Sequence, residues 1–68
     1  MKELLEWTVK QDIRSCFEGD VIIFYLRGSS KRFSSEELVC IFENKMDSKL
    51  EDKWRTAKKK NEIYKSYN

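Results

Sequence analysis

The sequence has no histidine and no proline, and it contains only two glycines and two cysteines. A closed structural zinc site needs four ligands, typically Cys or His, so this composition argues against one. The chain also lacks a glycine-rich phosphate loop and a Gly-x-Ser-x-Gly nucleophile motif. A chain this short can seldom build a water-excluding pocket. We therefore expect a protein that is not an enzyme, with no cofactor, no metal and no small-molecule substrate.

Long hydrophobic runs are also absent. The longest apolar stretch, residues 21–26, has six residues, whereas a membrane-spanning helix needs about 20. The first residues do not show the basic start followed by an apolar core that is typical of a signal peptide. Cys16 and Cys40 have apolar neighbours, which favours buried free thiols and a reducing compartment over a disulfide. These features predict an intracellular, cytoplasmic protein without a membrane partner.

The length limits how much apolar surface the chain can bury. Its 68 residues predict a single small domain over residues 1–68, in a size range where one core is only marginally stable. Association of two copies enlarges such a core without lengthening the chain. We therefore expect a homodimer.

Residues 13–27 predict a β-hairpin. Residues 21–27 begin with Val-Ile-Ile-Phe-Tyr-Leu, which is rich in β-branched and aromatic side chains. Glu-Gly-Asp at residues 18–20 is a turn signal, and it makes residues 13–17 the partner strand. Both faces of residues 21–26 are apolar, so we expect a helix to cover one face and a second subunit to cover the other.

Residues 3–11 fit either a strand or a helix. Leu5, Trp7 and Val9 alternate with polar residues as in a strand. The opening Met-Lys-Glu-Leu-Leu-Glu has high helix propensity instead. A strand here would complete a three-stranded meander. A helix over residues 2–17 would give a competing fold, in which the remaining strand pairs between subunits.

The second half of the chain predicts helical structure. Ser34 and Glu37 form a capping-box pattern that places a helix start near residue 35. A second such pattern at Ser48 and Glu51 predicts a break, with helices over about 35–46 and 49–66; without the break, one helix covers 35–66. The apolar stripe expected on this region consists of Leu38, Val39, Phe42, Met46 and Leu50.

These patterns together predict an α+β fold. A small antiparallel β-hairpin or three-stranded meander over about 3–27 is followed by one long or two consecutive α-helices over about 35–66. The helical stripe is expected to pack on one face of the sheet. The sheet residues expected to meet it are Ile13, Phe17, Ile22 and Phe24, or their alternates.

Charge is segregated along the chain. Residues 53–68 hold six bases and one acid, residues 21–34 hold three bases and no acid, and residues 35–52 hold two bases and six acids. A partner responds to such local fields more than to the net charge of +2. The candidate nucleic-acid-binding residues are Lys53, Arg55, Lys58, Lys59, Lys60 and Lys65, with Arg27 at the end of the predicted hairpin and Lys31 and Arg32 just after it.

Residues 51–59 (EDKWRTAKK) resemble the third helix of Myb/SANT-type DNA-binding modules. Those modules place a tryptophan in the core beside bases that reach DNA, which would give Trp54 a core role. The resemblance covers about a dozen residues. The first two helices of the module and their tryptophan spacing are missing, so the resemblance does not enter the prediction of function.

The basic helix predicts a non-enzymatic regulatory binding protein, homodimeric, that contacts a DNA or RNA backbone. The alternative is a protein–protein interaction module without nucleic-acid contact: an adaptor, an anti-repressor or a phage-type inhibitor of a host protein. The segregated charge also suits antiparallel pairing of two copies. The sequence alone leaves both interpretations open.

Overall fold

The chain folds as a β-hairpin with one helix before it and two helices after it. The computed structural model describes residues 2–67. The predicted α+β fold is confirmed in its hairpin form; the three-stranded meander and the competing fold with a helix over 2–17 are wrong. The elements are α1 (Lys2–Lys10), β1 (Ile13–Glu18), β2 (Val21–Leu26), α2 (Ser35–Phe42) and α3 (Ser48–Ser66).

The N-terminal segment is helical because its inward residues follow helical spacing. Trp7 stacks against Trp54 at 5.8 Å and meets Phe42 edge-on at 5.5 Å between ring centroids. The half-buried positions recur at the i, i+3, i+4, i+7 spacing of one helix face. They are Leu4, Trp7, Thr8 and Gln11.

The alternating pattern at residues 5, 7 and 9 was misleading. Leu5 and Val9, which it placed beside Trp7, are 66% and 79% exposed. Asp12 then adopts a positive φ of 60°, a conformation that Asp tolerates better than most residues. This turn lets β1 begin at Ile13 rather than continue the helix.

The hairpin has a two-residue loop. Glu18 pairs with Val21, and Gly19 has a φ of 63°, which glycine adopts at little steric penalty.

On its other edge, β2 receives one further pairing. Phe24 donates to the Phe33 carbonyl at 2.9 Å, and Phe33 donates back at 2.7 Å. Phe33 therefore extends the sheet at a single position.

The predicted break between the two C-terminal helices is confirmed, but its cap is different. Asp47, not Ser48, is the N-cap of α3, and its Oδ1 accepts the Leu50 N–H at 2.8 Å. A carboxylate there also complements the positive helix N-terminus. α2 ends four residues earlier than expected because Asn44 has a φ of 59° and the Lys45 N–H bonds the Cys40 carbonyl, as in a Schellman motif.

The predicted start of α2 is confirmed. Ser34 Oγ accepts the Glu37 N–H at 3.1 Å, and Glu37 Oε1 accepts the Ser34 N–H at 3.0 Å. The capping box therefore satisfies two backbone donors at this helix end.

The core lies where β2, α2 and α3 meet. Leu38 is buried as predicted, and Leu50, Met46, Ile13 and Phe24 pack at the edge of the core. The buried cluster itself consists of Leu26, Phe33, Ile41 and Ala57.

Three of the predicted core residues are exposed. Val39 is 38%, Ile22 is 42% and Phe17 is 77% exposed. Phe17 and Ile22 pair with each other beside the hairpin loop, beyond the part of the sheet face that meets the helices. Cys16 and Cys40 are free, as expected, but only half-buried. In residues 2–67, no helix is long and apolar enough to cross a membrane.

The C-terminal half of α3 is fastened to the end of β2. Asn61 is 6% exposed, and its Nδ2 donates to the Arg27 carbonyl at 2.8 Å. Gly28 follows, with φ 85°, and a Cβ built on it would lie 2.4 Å from the Cβ of Tyr64. Only a residue without a side chain allows the helix to approach this closely.

Gly28→Ala should therefore lower the free energy of unfolding by about 2–4 kcal/mol, through overpacking against Tyr64 and backbone strain. Gly19→Ala is the matched control: its φ is also positive, but no atom lies within 4 Å of the added carbon, so we expect about 1 kcal/mol from strain alone. Urea unfolding of both variants measures the difference. Equal losses would contradict the close packing of α3 on Gly28.

Candidate nucleic-acid interface

The loop after β2 contacts α3 at both of its ends. One end is held where Gly28 meets Tyr64, and the other where the Phe33 ring meets Trp54 edge-on at 5.7 Å. Between these ends the Ser29 N–H bonds the Leu26 carbonyl, and Ser29, Ser30 and Arg32 line a depression with Cys16 and Tyr25 of the hairpin. Lys31 lies in this loop and is exposed.

Lys53 has a structural role. Its Nζ lies 3.2 Å from Glu37 Oε2 and 4.7 Å from the centroid of the Phe33 ring, and its side chain is only 30% exposed. The lysine therefore joins α3 to the start of α2 and covers a buried ring. Its charge is largely balanced before any partner arrives.

Two arginines among the candidates are also paired within the chain. Arg55 contacts Asp52 at 3.1 Å and Glu51 at 3.5 Å, one turn earlier on α3. Arg32 forms an ion pair with Glu18 at the hairpin. These exposed pairs contribute little to stability, but they lower the local positive field.

Two further bases lie over aromatic rings. Lys58 Nζ is 5.7 Å from the Trp54 ring centroid, and the Arg27 guanidinium is 5.8 Å from that of Tyr64. Cation–π contacts orient a side chain without neutralising its charge. Both residues are exposed, so their charges remain available to an anion.

The remaining four candidates are exposed lysines. Among the described residues, no acid forms an ion pair with any of them. Together with Arg27 and Lys58 they make up the open bases, a name used below for this set of six. The four lysines are Lys31, Lys59, Lys60 and Lys65.

The open bases of α3 surround its exposed half. Measured from the buried Ala57 at 100° per residue, Lys60 lies about 60° away on the side of Gly28, and Lys59 lies nearly opposite, at about 160°. Lys58 and Lys65 lie about 80–100° away on the other side. The helix therefore presents positive charge in a broad arc. Glu62 is the one acid between residues 58 and 66.

Apolar side chains accompany this charge. Ile63 lines a shallow depression with Lys59, Lys60 and Thr56 on the outer side of α3, and it is 46% exposed. Tyr67, one turn beyond, is 85% exposed. An exposed tyrosine beside lysines can stack on an unpaired base or pack against a protein surface.

Sequence reasoning missed the contacts that orient α3. Asn61 was not singled out, although a short polar side chain at the Leu50, Trp54, Ala57 spacing stands on the helix's buried face and needs a partner there. The Glu37–Lys53 pair joins two helices, so no spacing within either helix indicates it. Within residues 2–67, no group of three or more Cys, Asp or Glu side chains could hold a metal ion.

Comparison with known proteins adds no assignment. No protein-family model matches the chain, and neither the curated proteins nor the solved structures contain a match. Its function has to be inferred from its own surfaces.

The fold perturbs the ionisation of the Glu37 carboxylate. Partial burial raises its pKa, but the Ser34 N–H, the hydrogen bond from Lys53 and the charge of Lys53 lower it by more. The pKa of Glu37 therefore lies below its ordinary value of 4.5. A lowered carboxyl pKa stabilises the fold above that value, and this contribution is lost as the pH falls through the folded-state pKa.

Glu37→Gln should keep the capping hydrogen bonds but lose the charge on Lys53's partner. Because the side chain is 37% exposed, we expect a loss below about 1 kcal/mol at neutral pH and none well below pH 4. Guanidinium unfolding at neutral and acid pH measures both. Glu36→Gln, on the same helix turn but outside the Lys53 pair, is the control. A Glu37→Gln loss that persists unchanged in acid would contradict the assignment.

Proposed function

We propose that this chain is a non-enzymatic regulatory binding protein, acting as a homodimer, that contacts the phosphate backbone of DNA or RNA through α3. The observation that supports this most directly is the set of six open bases: four lie on the C-terminal half of α3, Arg27 lies over Tyr64 of that helix, and Lys31 lies in the loop after β2. Each neutralised phosphate releases condensed counterions and so adds salt-dependent affinity.

The anchoring of α3 favours this use. Asn61 and Gly28 hold the C-terminal half of the helix against β2. Lys58, Lys59 and Lys60 lie within this anchored part of the helix. A helix of 19 residues is about 28 Å long, which is several base pairs of duplex. Its lysines can therefore contact more than one phosphate at once.

The arc of charge favours backbone contact over base reading. Sequence-specific helices direct a few side chains into the major groove from one face. Here Lys58, Lys59 and Lys60 point in three directions, and Arg55, the arginine on the outer face, is held by two acids. We therefore assign the open bases to phosphates and no residue to base edges. Tyr67 is the candidate for stacking on a single strand.

A protein-interaction module is the second candidate, and a separate surface supports it. Leu5 and Val9 form an exposed apolar pair on α1, with Glu6 and Lys10 at its border. An adaptor, an anti-repressor or a phage-type inhibitor would dock through such a surface without nucleic acid. The two proposals thus involve different faces of the molecule and can be tested separately.

The nucleic-acid proposal predicts that the affinity depends on salt concentration and that Lys59 and Lys60 account for part of this dependence. Binding of labelled single- and double-stranded DNA and RNA should weaken as salt rises, and Lys59→Gln/Lys60→Gln should reduce the slope of log K against log salt by about two. Fluorescence anisotropy at several salt concentrations measures this slope.

The matched control removes the same charge elsewhere. Lys2→Gln/Lys45→Gln lies on α1 and in the turn before α3, and it should leave the slope close to wild type. No binding at low salt, or equal effects of the two double variants, would reject the nucleic-acid proposal. The Leu5→Ser/Val9→Ser variant alters the separate apolar surface on α1 and should leave nucleic-acid affinity unchanged.

A further inference from the structure

The outer edge of β1 is an unpaired sheet edge. Phe24 directs its N–H and carbonyl to Phe33, so Ser15, which pairs with Phe24 across the hairpin, must direct its own backbone groups away from β2. By the two-residue alternation of a ladder, Phe17 does the same. Within residues 2–67, no backbone hydrogen bond reaches these outward groups. Such an edge is a template for another strand.

The sequence of β1 is complementary to itself in one register. When two β1 strands run antiparallel and cross at Cys16, Arg14 of each lies opposite Glu18 of the other, because both are two residues from the centre. Opposite charges thus meet twice in one interface. The same crossing places the outward N–H and carbonyl of Ser15 against those of Phe17 in the second copy, so hydrogen bonds form in pairs.

Other crossings of the strands are poorer. A crossing at Arg14 places two arginines opposite each other, and a crossing at Ser15 places Asp12 opposite Glu18 of the second copy. A crossing at Phe17 leaves Arg14 beyond the end of the partner's β1. If the strands cross between two residues rather than at one, a residue whose backbone N–H and carbonyl face the second copy lies opposite a residue whose groups face its own hairpin, so the two cannot form hydrogen bonds. Charge, strand overlap and the direction of the backbone groups together therefore select the crossing at Cys16.

The side chains of β1 also suit this pairing. Phe17 is 77% exposed in a single copy; in the pair it lies opposite the small Ser15 and diagonal to Ile13 on the same face. Within the chain, Glu18 pairs with the exposed Arg32, and Arg14 lies 3.8 Å from the half-buried Asp12. Exchanging those pairs for intermolecular ones loses little, because exposed ion pairs are weak.

We propose that a second copy of this chain pairs antiparallel along β1, with the strands crossing at Cys16, to make one four-stranded sheet. The inference specifies the interface of the homodimer in the proposed function, but it does not rest on nucleic-acid binding. The open bases of α3 take no part in it.

A proline tests the edge directly. Ser15→Pro removes an N–H that points away from β2, so the hairpin ladder stays intact, and proline is tolerated on such an edge. Light scattering at high micromolar concentration should report a dimer for the wild type and a monomer for Ser15→Pro, with unchanged circular dichroism. Ser15→Thr keeps the N–H and should remain dimeric. A monomeric wild type or a dimeric Ser15→Pro overturns the proposal.

A charge exchange tests the register. Arg14→Glu and Glu18→Arg should each weaken association by at least about tenfold, because like charges then meet twice, and the double variant should restore it. Within a single copy, Glu18→Arg removes the acid that pairs with Arg32 and sets two positive charges side by side. Recovery of association in the double variant therefore cannot come from restoring the ion pair with Arg32 within one copy. A double variant no better than the singles overturns the register.

Cross-linking supplies the distance. Opposed cysteines in a non-hydrogen-bonded pair have Cα atoms about 4.5 Å apart, within disulfide range. The Cys40→Ser variant keeps Cys16, and the Cys16→Ser variant keeps Cys40. Copper(II)-phenanthroline oxidises two thiols to a disulfide, accepting two electrons as the thiols release their protons. It should cross-link the Cys40→Ser variant faster than the Cys16→Ser variant. Equal rates overturn the crossing at Cys16. Nucleic-acid binding measured on Ser15→Pro keeps the two proposals distinguishable, since α3 is unaltered in the monomer.

Discussion

The burial of Phe33 is the constraint on which the rest of the structure depends. Its backbone exchanges two hydrogen bonds with Phe24, its ring is 1% exposed and meets Trp54 edge-on, and the next residue, Ser34, caps α2. One residue thus joins the sheet to both C-terminal helices. A small chain has few buried side chains, so a residue that orders three elements at once has a large share in specifying the fold.

The position of α3 follows from this constraint. Lys53 lies over the Phe33 ring and pairs with Glu37, and at the other end Asn61 and Gly28 hold the helix to β2. Lys53 and Arg55, in the first half of the helix, are therefore used within the molecule, whereas the bases near its end face solvent. The charge that a partner would meet is concentrated on the C-terminal half of α3 by packing, not by composition alone.

The hairpin separates two kinds of surface. One edge of β2 pairs with Phe33 at a single position, and α3 is held at the end of the same strand. The opposite edge of the sheet, β1, is open. Contact with an anionic polymer and pairing with a second copy would therefore occur on different sides. A dimer joined through β1 would carry two basic helices, and two modest phosphate contacts on one polymer bind more tightly than one.

The sequence by itself determined the local features whose physics is local. The capping box at Ser34, the turn at Gly19 and the β-branched run of β2 each act within a few residues, so the α+β class, the hairpin and the start of α2 were predictable. The helix in residues 2–10 was not, because Leu5 and Val9 are as apolar as Trp7, and only contact with Phe42 and Trp54 selects the tryptophan's side. Likewise, Lys53 and Lys60 are alike in sequence. Tertiary structure alone decided that one is balanced by Glu37 across a helix boundary while the other stays open to solvent, because ion pairing depends on which elements meet in space.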